Sequence, residues 1–229
     1  MPTTIRPTQR HSEPRARGCG RERSINKGLD SSAVDFHRAG GLDLDASVVT
    51  IGAFDGVHRG HQELLRQTIA AARLLGVPAV VYTFDPPPKV YFGRAEALNS
   101  LAEKLERIAA FGPDHVIVAE FNHVYARRTA ADFVTELQRL HPRDIIVGED
   151  FCFGSCKSGT AQLLGRYFNT RILPPVRCGN GEIVSSSRIR VLRRSGMAAA
   201  AAALENWKDA LTAPSGNLPN AAEFRMANP

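Results

Sequence analysis

Cysteine is scarce in this chain of 229 residues: Cys19, Cys152, Cys156 and Cys178 are the full set, and no two form a Cys-x-x-Cys pair. That excludes a disulfide scaffold and a zinc ribbon, and it points to a reducing compartment, the cytoplasm. Long apolar runs are missing too. The longest, Ser47–Phe54 and Val77–Phe84, fall far short of the roughly 20 residues that span a bilayer, so no membrane partner is expected. No apolar stretch leading to a small-residue cleavage site follows the early arginines, so no secretory signal is read; an organellar transit peptide is the alternative, although the segment has no clear amphipathic face.

Acidic residues are sparse at the start of the chain. Arg6, Arg10, Arg15, Arg17, Arg21, Arg23 and Lys27 face only Glu13 and Glu22, so most of the formal net charge of +6 sits in a polar leader. Basic residues in a tail do not make the clustered basic face that nucleic acid needs, so no nucleic-acid partner is expected. Residues 1–46, rich in Pro, Ser, Arg and Gly without apolar periodicity, read as a disordered basic leader.

What is present is an alternation of strand and helix patterns. Val48–Ile51 reads as a buried strand, and Leu64, Ile69, Ala72 and Leu75 mark one face of a helix that Gly76 stops. Val77–Phe84 is the next strand, and Asp85-Pro86-Pro87-Pro88 must be loop because prolines cannot feed a ladder. Ser100 and Glu103 make a capping box, Val116–Val118 a third strand, and Thr129 with Asp132 caps a helix with Phe133, Leu137 and Leu140 inward that Pro142 ends. Asp144–Gly148 and Thr170–Leu173 are further strands, and helix returns from Ser187. The pattern predicts an α/β fold, a mostly parallel sheet of about five strands with helices on both faces, spanning 47–195; an Ala-rich helix and flexible tail occupy 196–229. Ligands in such a fold sit at the carboxyl ends of the strands.

The sharpest local feature is Gly52-Ala53-Phe54-Asp55-Gly56-Val57-His58-Arg59-Gly60-His61, between the first strand and the first helix. A helix N-terminus favours phosphate, glycine lets backbone approach it, and imidazoles can donate to a phosphate oxygen as charge grows. Zinc is the competing ligand, although His-x-x-His without a third donor nearby is an incomplete set. Ser185, Ser186, Ser187 and Arg190 form a second phosphate-type segment: serines before a helix offer hydroxyl and backbone donors, and an arginine one turn on offers a fork. An ordinary serine cap with a surface arginine fits that segment equally well.

Taken together, Gly52–His61, Thr83-Phe84-Asp85-Pro86, Val147–Gly154 and Val184–Arg190 resemble, in order and spacing, a known family. It is the FMN adenylyltransferase part of bacterial bifunctional riboflavin kinase/FAD synthetases, within the H-x-G-H nucleotidyltransferases. The resemblance covers most of Val48 to about Arg194. It implies a Rossmann-like nucleotidyltransferase fold and transfer of AMP from ATP to FMN, giving FAD and pyrophosphate. It further implies His58 and His61 as catalytic residues, with Gly52, Ala53, Phe54, Asp55, Gly60, Ser185, Ser186, Ser187 and Arg190 binding ATP. Phe84, Asn122 and Asp150 are implied on the flavin side. Mg²⁺ would arrive chiefly with ATP, since no carboxylate cluster is evident.

The chain departs from the family pattern at Pro87, where members carry histidine, and at Cys152, where they carry arginine; Cys156 and Lys157 also differ. A different phosphate acceptor is therefore one alternative function, and a non-catalytic flavin- or nucleotide-binding module another. Because residues 212–229 cannot build the β-barrel of a riboflavin kinase, no riboflavin phosphorylation is expected.

Overall fold

The computed structural model describes residues 34–206. Six strands form one wholly parallel sheet: β1 (Asp35–Arg38), β2 (Ser47–Ile51), β3 (Ala79–Asp85), β4 (His115–Glu120), β5 (Pro142–Gly148) and, after two short strands, β8 (Thr170–Leu173). Their spatial order is β1-β4-β3-β2-β5-β8. The short strands β6 (Cys152–Phe153) and β7 (Gly159–Thr160) pair antiparallel as a separate ribbon.

Alternation along the strands explains the layering. Val48, Val81, Val116 and Ile146 face one side, where Leu65 and Ala72 of α1 (Arg59–Leu75) and Ile108 of α3 (Leu101–Ala109) cover them. Val49, Ile51, Val80, Tyr82, Ile117 and Ile145 face the other, under Phe133 and Leu137 of α5 (Ala130–Gln138) and Leu164 of α6 (Ala161–Leu164). Strands buried on both faces read as near-continuous apolar runs, as these do.

Local signals set the helix ends. Gly76 caps α1 with φ of 65°, and reciprocal capping boxes of Ser100 with Glu103 and Thr129 with Asp132 open α3 and α5. Two short helices, α2 (Pro88–Tyr91) and α4 (His123–Ala126), sit at the carboxyl ends of β3 and β4. Late in the chain, α7 (Ser186–Arg194) and α8 (Ala198–Glu205) pack together through Ile189, Ala201 and Leu204.

Several expectations need correcting. Asp35–Arg38 lies in the segment read as leader, yet it adds a sixth strand beside β4; its four mostly exposed residues, at a sheet edge, carry no apolar pattern to announce it. Ala39, Leu42 and Leu44 of the same segment pack on the core. Residues 1–33 and the tail from 207 lie outside the described residues. Pro142 opens β5 instead of closing the preceding helix, which ends at Gln138. Pro88 starts a helix, where a missing N–H costs nothing. On α1, Leu65 is fully buried while Leu75 is exposed.

Candidate functional site

Chain order reverses around β2. The chain moves outward from β2 to β3 and β4, then returns to the other side of β2 as β5. Parallel sheets open a crevice at such a switch point, beyond the carboxyl ends of the strands. A cavity of about 1340 Å³ occupies that place.

The turn leaving β2 is held in an unusual shape. Phe54 and Val57 both adopt positive φ, 46° and 40°, a conformation rare for any side-chain residue and a true outlier for a β-branched one. Strain of this kind persists only where surroundings impose it, and it concentrates at functional sites. Here the fully buried Phe54 and Val57 anchor the turn in the core. His58 then serves as the N-cap of α1, its Nδ1 accepting the His61 N–H at 3.4 Å. That bond assigns the remaining ring proton to Nε2. The two imidazoles stack with centroids 3.7 Å apart. A Cβ at Gly60 would lie 3.2 Å from His58 Cε1 and 3.6 Å from the Val184 carbonyl oxygen, so a larger residue there would crowd the His58 ring.

Burial decides the charge of both rings. It lowers His58 to about 4, and it lowers His61 well below the usual imidazole value, with His58 and Lys104 adding positive repulsion. Both are therefore neutral at pH 7. The His61 Nδ1 is buried and has no partner within the protein. Lys104 is itself buried under β3, donating to the Phe84 carbonyl oxygen at 2.6 Å with Asp85 3.9 Å away.

The second motif meets the first. Ser185 caps α7, accepting the Arg188 N–H, and Ser186 Oγ donates to the Asp55 carbonyl oxygen at 2.8 Å. Arg190 pairs with the Asp55 carboxylate and donates from Nε to the Glu96 carbonyl oxygen at 2.7 Å. Asp55 also accepts the Leu98 N–H at 2.9 Å. The N-termini of α1 and α7 thus open on one cavity. Gly52, Ala53, Asp55, His58, Gly60, His61, Ser185, Ser186, Ser187 and Arg190 all line it.

Of the three residues expected to contact flavin, Phe84 and Asp150 line the cavity, whereas Asn122 does not; Phe54, expected to bind ATP, is buried and also absent from the wall. Asn122 caps α4, accepting the N–H groups of Val124 and Tyr125, both at 3.0 Å. Its neighbour Phe121 takes the wall position instead. The Phe121 ring lies within 6.0 Å of the rings of Phe84, Tyr91, Phe92 and Tyr125. Sequence reasoning missed this aromatic wall because its members come from β3, α2 and the β4–α4 turn. Pro87 and Cys152, the two departures, also line the cavity. Missed as well were the cations Lys89, Arg127 and Arg128 that line it; Lys89 Nζ reaches Ser187 Oγ at 3.4 Å.

Among the described residues, no third His, Cys, Asp or Glu donor converges on His58 and His61. The lining carboxylates Asp55, Glu63, Glu149 and Asp150 form no cluster either. No helix among the described residues is long and apolar enough to cross a membrane.

Comparison with known proteins agrees with this geometry. The sequence pattern of the FAD synthetase family matches residues 42–188. A protein of Geobacillus thermodenitrificans, provisionally named a bifunctional riboflavin kinase/FMN adenylyltransferase, is 47% identical over 167 residues, covering 73% of this chain and 93% of the relative. The bifunctional riboflavin kinase/FMN adenylyltransferase of Escherichia coli K12 is 34% identical over 164 residues; the match covers 68% of this chain but only 52% of that protein. A crystal structure from Streptococcus pneumoniae, described as a macrolide-efflux protein, superposes with a TM-score of 0.67 at 30% identity, covering 76% of this chain and 62% of that one. With the family pattern spanning more than half its length and its motifs gathered at one cavity, the chain belongs to the FAD synthetase family.

Proposed function

We propose that the cavity transfers AMP from ATP to FMN, yielding FAD and pyrophosphate. The observation that carries this is the meeting of two helix N-termini with an aromatic wall inside one space of about 1340 Å³. A single small ligand typically fills 300–1,000 Å³, so the volume suits two substrates. Helix N-termini and serine hydroxyls suit the triphosphate, and the rings around Phe121 suit a flat heterocycle.

An oxygen of the FMN phosphate attacks the α-phosphorus of ATP in line. The new phosphorus–oxygen bond forms as the α–β bridge breaks, and the electron pair leaves with pyrophosphate. No enzyme group bonds covalently to the nucleotide. His58 donates from Nε2–H, and His61 from a ring N–H at the cavity wall, toward oxygens that gain charge in the transition state. Neutral rings donate hydrogen bonds without requiring deprotonation, and a water-poor setting strengthens them. Ser185, Ser187 and the rim lysine Lys89 steady the departing pyrophosphate. Asp55 and Arg190 act by fastening the two motifs together. Mg²⁺ enters with ATP and offsets phosphate charge.

The reaction belongs to the cytoplasm, where the free, exposed thiols of Cys152 and Cys156 stay reduced. We further propose that this cavity does not also phosphorylate riboflavin, because a site that presents a phosphate acceptor to the α-phosphorus of ATP does not align a ribityl hydroxyl with the γ-phosphorus. A second reading, transfer to another phosphate acceptor, draws on Pro87 and Cys152 in the cavity wall. Incubating the full chain with ATP, Mg²⁺ and, in separate reactions, FMN, riboflavin or other phosphate monoesters, then resolving products by chromatography, tests all three. FAD from FMN is expected, with riboflavin unchanged. Turnover of another phosphate acceptor without FAD would favour the second reading, and absence of any turnover would mean a binding module.

A further inference from the structure

At the opposite end of the sheet from the cavity, the amino ends of β1 and β4 bring Asp35, His37 and His115 together. This is the one set of three His, Cys, Asp or Glu side chains, among the described residues, whose donor atoms lie within 4.8 Å of one another. Parallel register explains the convergence. Asp35 pairs with His115, and Asp35 and His37, two residues apart on one strand, point to the same face.

We propose that these three side chains bind a divalent transition-metal ion, zinc in the first instance, which ties the edge strand β1 to β4. His37 Nε2 and His115 Nδ1 share a hydrogen bond at 3.2 Å, which a bound ion would replace. Two nitrogens, each ~2.0–2.1 Å from one tetrahedral ion, stand roughly 3.3–3.4 Å apart, so these rings need little movement to share a metal. Asp35 Oδ2 is 3.8 Å from His115 Nδ1, and its mostly exposed carboxylate is free to turn inward. Two imidazoles and one carboxylate suit borderline ions such as zinc, whereas Mg²⁺ and Ca²⁺ prefer oxygen ligands. Three protein ligands leave a fourth position for water.

The consequence is mechanical. Strand β1 has only four residues, mostly exposed, at the sheet edge, and a bound ion would cross-link it to the buried β4. Ligands that bind only the folded state raise stability by mass action.

The test uses the full, untagged chain after treatment with chelator. Titration with zinc, followed by calorimetry and thermal melting, is expected to show one ion per chain and a higher melting temperature. His37→Asn and His115→Asn should each weaken zinc binding at least tenfold while leaving adenylyl transfer at the distant cavity unchanged. Cobalt bound in place of zinc should give the visible absorption of a tetrahedral site, lost in the same variants. If His115→Asn fails to fold, Asp35→Asn carries the same test. Absence of zinc binding, or zinc binding unaltered by these variants, would overturn the proposal.

Discussion

Asp55 and Arg190, 135 residues apart in the chain, are joined as an ion pair whose two side chains are nearly buried. One Asp55 oxygen takes the guanidinium and the other takes the Leu98 N–H, so the carboxylate ties three segments together at the cavity wall. The arginine that the sequence offered to phosphate is engaged by the protein itself.

Asp55→Asn should therefore damage the fold as well as activity. Removing one partner of a buried pair typically costs ~3–5 kcal/mol, because the other charge stays behind unpaired. Asp55→Asn combined with Arg190→Gln should recover part of the loss. Urea unfolding of the two single variants and the double variant measures this, and strict additivity would contradict it.

His58→Ala and His61→Ala are each expected to lower kcat about a hundredfold or more, with the circular dichroism spectrum unchanged. A preorganised donor aimed at growing charge is worth ~3 kcal/mol. Near-normal kcat in both variants would remove the imidazoles from the mechanism.

Stability should fall as pH drops from about 6.5 toward 4. His58 is held down to about 4 by burial, whereas the unfolded chain takes up that proton near the ordinary imidazole value of about 6.5. The unfolded state then binds more protons across this window, so acid favours unfolding, by up to about 3 kcal/mol for this group. His61 acts in the same direction. Asp144, raised to about 6 by burial, acts in the opposite one, but its effect cancels when wild type is compared with His58→Gln. Denaturant midpoints of both proteins between pH 4 and 8 should show a shallower dependence in the variant.

Deleting residues 1–43 should lower the melting temperature. The cut removes β1 and the Asp43 carboxylate that pairs with Arg139 at 2.6 Å. A loss of about 2 kcal/mol corresponds to roughly 4–8 °C in a domain of this size. Deleting 1–33 spares both features and gives the reference for scanning calorimetry; equal melting temperatures would show that β1 adds nothing.

The sequence alone determined whatever rests on local chemistry. Apolar runs such as Val48–Ile51 and Ile145–Val147 could only be buried strands, and Gly76, Ser100 with Glu103 and Thr129 with Asp132 fixed helix ends because caps act within one turn. The histidines, serines and arginine of both motifs were legible as candidates because their residue types and spacing suit phosphate, and the fold brings them to one cavity. The tertiary structure decided what depends on neighbours distant in the chain. Edge strand β1 forms because β4 offers a free ladder, and Phe121 rather than Asn122 faces the cavity because Asn122 is spent on a cap. The rings are neutral because packing excludes water from them. Arg190 turns to Asp55 because the folded chain brings the two charges together where water cannot screen them.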